Sequence, residues 1–92
     1  MALISKETVL EHASPGAIVE GAIEIPVDGV VYSVFRLRST GGTTTWHAWK
    51  GEQKIDCSGC LNVLDVASVL FPDFKDRAAR NLMSLDWMSR NN

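Results

Sequence analysis

The sequence predicts an α+β fold: a four-stranded antiparallel meander with a short N-terminal helix and two C-terminal helices, in the order α-β-β-β-β-α-α. The helices are expected on one sheet face, making two layers. Two observations predict the sheet. Turn signals recur at Asp28-Gly29, Gly41-Gly42 and Lys50-Gly51-Glu52, and between them lie alternating runs rich in Val, Ile, Thr, Tyr, Phe and Trp. A third predicts the helices: beyond Cys60 the apolar period lengthens, and Pro72 breaks it.

Ser5 reads as an N-cap, with Glu7 placed to meet the helix dipole and Ile4 and Val9 spaced as a hydrophobic staple. Ser14-Pro15-Gly16 stops this helix early. From Ala17 the period is two. A three-residue loop, Val27-Asp28-Gly29, with Gly29 left-handed in a G1 bulge, pairs Ile25 with Val31, Gly21 with Phe35 and Val19 with Leu37. A two-residue Asp28-Gly29 turn would instead set Val19 against Arg38 and mix core with solvent residues, so the longer loop is preferred.

A two-residue Gly41-Gly42 turn pairs Leu37 with Trp46 and Phe35 with Ala48, leaving Arg36 opposite His47 and Val34 opposite Trp49. Gly51-Glu52 then pairs Ala48 with Ile55, Trp46 with Cys57, His47 with Asp56 and Trp49 with Lys54. Leu61 to Phe71 reads as a short buried helix capped by Asn62. Asp73 and Asp76 open a last helix with Phe74, Ala78, Leu82 and Leu85 as its core stripe and Met83 and Trp87 at the rim. Asp76/Arg80 and Asp86/Arg90 are solvent-face pairs.

Ninety-two residues make one domain, 1–92, with room for a single core but hardly for a deep substrate pocket as well. An apolar fraction of 46% with 22% charged residues is ordinary globular composition. The net charge of −2 argues against bulk duplex-DNA binding, which needs a basic excess. No signal peptide and no run of roughly 18 apolar residues is visible, so the expectation is a cytoplasmic protein without a membrane partner. No Gly-rich phosphate loop exists, since Gly41-Gly42 does not lead into a helix. His12, near the end of the first helix, is expected to meet the terminal carbonyls.

In the expected register Glu20, Arg36, His47 and Asp56 form a polar row on the open face. His47 beside Asp56 has the form of half an acid–base pair, but no nucleophile or cleft accompanies it, and a solvated charge ladder is the simpler reading. The same face gathers Tyr32, Arg36, Arg38, His47, Trp49 and Lys54, the residue types enriched at protein–protein hot spots, with Trp49 as the anchor. Tyr32, Trp49, Arg36 and Arg38 also suit stacking on single-stranded nucleic acid, although no RNP-like motif is present and Glu20, Glu24 and Asp56 dilute the charge.

Cys57-Ser58-Gly59-Cys60 has thioredoxin-like spacing, yet the surroundings are a meander rather than a βαβ unit and Cys57 points inward. Two histidines without finger-like spacing do not complete a zinc site, so neither metal nor cofactor is expected. The function expected is macromolecular binding without catalysis. The chain would be an inhibitor or adaptor, monomeric or weakly dimeric, docking on a protein or ribonucleoprotein assembly in the manner of phage- or plasmid-type antagonists of host systems. Single-stranded nucleic-acid binding and dithiol redox chemistry at Cys57/Cys60 are the alternatives.

Overall fold

The computed structural model describes residues 4–74 together with 76 and 77. A six-residue helix, α1 (Lys6–Glu11), is followed by β1 (Ile18–Val27), β2 (Val30–Arg38), β3 (Thr44–Lys50) and the short β4 (Gln53–Ile55). Next come α2 (Val63–Leu70) and a single 3-10 turn at Pro72–Phe74. The strands form one antiparallel sheet in the order β1-β2-β3-β4. The expected C-terminal helix, with its stripe and the Met83/Trp87 pair, falls almost wholly outside the described residues. No helix among the described residues is long and apolar enough to cross a membrane.

The helix ends follow the sequence signals. Ser5 Oγ accepts the Thr8 amide at 3.2 Å, and Ile4 packs against the cluster holding the fully buried Val9. Asn62 Oδ1 accepts the Asp65 amide at 3.0 Å, and α2 ends before Pro72 with Phe71 as its C-cap.

The first two hairpins exchange the turn types expected of them. Asp28 (φ 52°) and Gly29 (φ 82°) are both left-handed, giving a two-residue turn with Val27 opposite Val30 and Ile25 opposite Tyr32. A bulge then drops Glu20 out of the ladder and restores Val19 opposite Leu37. This bulge resolves the clash of core with solvent that made a two-residue turn look wrong. At the next hairpin Gly42 N–H donates to Ser39 C=O, Ser39 N–H donates to Thr43 C=O, and Gly42 has φ 88°. That is a three-residue loop with a G1 bulge, and it shifts the register by one. Arg36 now faces Trp46, Phe35 faces His47 and Val34 faces Ala48. The third hairpin has the expected turn and register, with Ala48 opposite Ile55 and Trp49 opposite Lys54, but its ladder ends there and the expected His47–Asp56 and Trp46–Cys57 pairs do not form.

The corrected register redistributes the side chains between faces. Ile23, Val34, Trp46 and Ala48 pack with Cys57, Cys60, Val66, Ala67 and Leu70 under α2. Phe35, Leu37 and Trp49 pack with Val9 under α1 on the other face. Among the described residues the helices therefore lie on opposite sides of the sheet, not together on one, and both faces of its middle carry a packed cluster. Central β2 carries the consequence: Ser33, Val34, Phe35 and Leu37 are all buried.

Candidate functional site

The residues expected to share one binding face are split. Tyr32, Arg36 and Arg38 lie on the α2 side; His47, Trp49 and Lys54 lie on the α1 side. Tyr32 meets Phe71 edge-on at 4.7 Å, so it belongs to the core rim. Glu20 turns at its bulge to pair with Arg36 at 3.9 Å and, more closely, with Arg38, while His47 is on the far side. The four-residue polar row does not exist. Trp49 is 3% exposed, edge-on to Phe35 and to His12 with centroids 5.6 Å apart in both pairs. It is a core residue rather than an exposed anchor, and the Tyr32/Trp49/Arg36/Arg38 stacking platform is not assembled.

A different site forms where β4 stops. Its ladder reaches only Ala48, Trp49 and Lys50, and past Ile55 the chain leaves as a loop. Between that loop, the first half of β3 and the end of α1 lies a cleft of about 330 Å³, lined by His12, Ala13, Thr45, His47, Cys60 and Leu61 among others. An adjoining recess of about 370 Å³ adds Lys54, Asp56 and Ser58.

Local hydrogen bonding fixes the walls. Asp56 Oδ1 accepts the Ser58 amide at 3.0 Å, an Asx-turn, and this bond lowers the Asp56 pKa. Cys60 N–H donates to Cys57 C=O at 3.0 Å, closing the next turn. Asp65 then reaches back from the first turn of α2 to accept the Leu61 amide at 2.9 Å, a variant of the capping box. Leu61 thus has a tethered backbone and a side chain in solvent, 84% exposed.

On the opposite wall the backbone N–H of His12 caps α1, but its ring leans on Trp49 instead of on the helix carbonyls. Lys54 Nζ sits 5.2 Å above the same indole and donates to Ile55 C=O. His47 Nε2 lies 3.4 Å from Thr45 Oγ1, and Nδ1 is buried with no hydrogen-bond partner among the described residues. Burial, then the charges of Lys54 and His12, lower the His47 pKa. The imidazole is consequently held neutral near pH 7.

Cys57 and Cys60 are free thiols, 2% and 7% exposed. Burial, reinforced by Cys60, pushes the Cys57 thiol up to about 12, and burial raises Cys60 as well. Both are kept protonated and shielded, the opposite of an activated dithiol. No group of three or more metal-ligating side chains occurs among the described residues.

Sequence reasoning missed His12, Ser58 and Leu61 as neighbours of His47 and Lys54. The available signal was β2 itself, whose apolar residues occupy both alternating sets and mark a strand covered on both sides. Comparison with protein-family models, curated proteins and solved structures gives no match to this chain.

Proposed function

We propose that this chain is a small non-enzymatic binding protein, an inhibitor or adaptor, which engages a protein partner at the cleft beside β3. The observation that carries the reading is Leu61: a large aliphatic side chain left 84% exposed on a backbone held by Asp65, at the rim of the cleft. A preorganised apolar group loses little freedom on binding, which favours affinity. Buried, protonated thiols argue against dithiol chemistry at the same place.

The free edge of β1 is a poorer docking surface. Beside a two-residue turn, Ala22, Glu24 and Pro26 direct their backbone polar groups away from β2. Pro26 offers no N–H, Glu24 adds charge and Glu20 bulges, all of which oppose strand addition.

Site-specific photo-crosslinking tests the reading. A benzophenone side chain at position 61 should give a discrete protein adduct in cells that make the chain; one at exposed position 24 should not. The adduct from a probe at position 58 should be lost on Leu61→Asp. Adducts at 24 alone, or to nucleic acid instead of protein, would refute the assignment.

A further inference from the structure

β4 leaves the strand beside it half covered. β3 begins at Thr44, yet its ladder with β4 takes in only Ala48, Trp49 and Lys50. The phase of the sheet decides which backbone groups face the uncovered side. Ser39 N–H donates to Thr43 C=O and Gly51 N–H to Val31 C=O, so hydrogen-bonded pairs alternate inward from both ends. Thr45, His47 and Trp49 bond to β2; Thr44, Trp46, Ala48 and Lys50 turn their N–H and C=O toward the β4 side. Ala48 and Lys50 meet β4 there, but the chain departs after Ile55. Thr44 is exposed, and its N–H and C=O have no hydrogen-bond partner among the described residues.

The cleft opens on this edge. Thr43–His47 form one wall and Ser58, Cys60 and Leu61 another, with Ala13 and Ala17 also lining it. A helix has already bonded its own N–H and C=O groups, and a phosphodiester chain has no amide N–H. An extended peptide presents both groups at the spacing of a strand. In the recess Asp56 is ionised with Lys54 to balance it, while His47 is neutral, so the walls favour an uncharged segment. The side chains facing the newcomer are Thr44 and Thr45, which pair well with β-branched neighbours.

Resting on the docking role argued above, we propose that the cleft binds an extended, uncharged, β-branched segment of a partner protein, which adds to the sheet in line with β4. The segment runs antiparallel to β3 and exchanges N–H to C=O bonds with Thr44, and its neighbouring side chain lies in the cleft that Leu61 rims. Main-chain bonds give such strand addition its affinity, and the alternating side chains give its selectivity. Setting the open edge in a slot also keeps it from pairing at random, the task that Pro26, Glu24 and the bulge at Glu20 perform on β1.

The test uses the intact isotope-labelled chain and a blocked hexapeptide of alternating threonine and valine, with a copy N-methylated at every amide. The unmethylated peptide should slow hydrogen exchange at the Thr44 amide. It should bind about tenfold more tightly than the methylated copy, the worth of one or two net hydrogen bonds. Copies with glutamate or lysine in place of threonine should each bind more weakly. Thr44→Pro removes an N–H that no rung of the sheet uses, so the melting midpoint should hold while peptide affinity falls about tenfold. If proline unsettles the fold, exchange at Thr44 and the methylated copy decide the matter in the parent chain. Equal binding of the two peptides, unchanged exchange at Thr44 or no binding at all would overturn strand addition, and the crosslink at position 61 would judge the docking reading independently. Tighter binding of a charged copy would overturn the uncharged segment. Protection of Thr44 by a single-stranded oligonucleotide, or by self-association without peptide, would reassign the edge to nucleic acid or to a second copy of the chain.

Discussion

Replacing Trp49 by alanine should unfold much of what holds α1 to the sheet. The indole is 3% exposed and packs in the cluster of Val9, Phe35 and Leu37. Truncating a buried tryptophan costs about 3–5 kcal/mol. Its edge-on partners Phe35 and His12, at about 0.5–1.5 kcal/mol per aromatic pair, place this site toward the upper end of that range. A domain of this length has about 5–14 kcal/mol in all, so the loss is about a fifth of the total or more. At about 4–8 °C per kcal/mol, the melting midpoint should drop by at least 12 °C. Leu61→Ala, at a side chain 84% exposed, should stay within about 0.5 kcal/mol of the parent. Thermal and denaturant unfolding followed by circular dichroism measure both. A Trp49→Ala protein as stable as the parent would refute the covering of that face by α1, and with it the corrected β2–β3 register.

The neighbouring hairpin separates its two glycines. Gly42 has φ 88° and Gly41 does not have positive φ, so Gly42→Ala should cost about 1–2 kcal/mol while Gly41→Ala should be neutral or slightly stabilising; equal costs would restore the two-residue turn. His47 provides a pH test. Because its folded pKa is below the ordinary 6.5, the unfolded chain takes up the proton first. Stability is therefore complete above about pH 6.5 and declines as the pH falls below it. His47→Gln should lose less of its midpoint than the parent between pH 7.5 and 5.5, and an identical loss would contradict the burial of the ring. Cys57 and Cys60 should resist a thiol-specific disulfide reagent in the folded protein and react promptly in denaturant; fast reaction of the folded protein would revive the dithiol reading.

Much of the fold is legible in local chemistry. The Ser5 and Asn62 caps, the stop at Pro15-Gly16 and the tight turn at Gly51-Glu52 each depend on residues within a few positions of one another, and all are present. The first two hairpins were legible only in part. A Gly-containing turn admits two loop lengths, and the choice rests on side-chain consistency, which a bulge can reset. Glu20 leaves the ladder to reach Arg36 and Arg38, a non-local pairing that no turn signal encodes. One residue of register at Gly41-Gly42 then moved Trp49 from an imagined open surface to the core. The cleft depends on this too, because His12, His47, Lys54 and Leu61 meet only when α1 and α2 occupy opposite faces and β4 ends at Ile55. The largely exposed Leu61 beside a capped helix start was readable in principle, since Asn62 and Asp65 fix the backbone on which it stands.

The most direct measurement of the docking claim is a residue-by-residue map of amide resonance shifts when the partner captured at position 61 is added to the isotope-labelled chain. The account predicts that the shifts concentrate at His12–Ser14, Thr43–His47 and Asp56–Leu61, the three segments that line the cleft. Shifts confined to the free edge of β1 around Ala22–Pro26, or to Val69 on the outer side of α2, would contradict it.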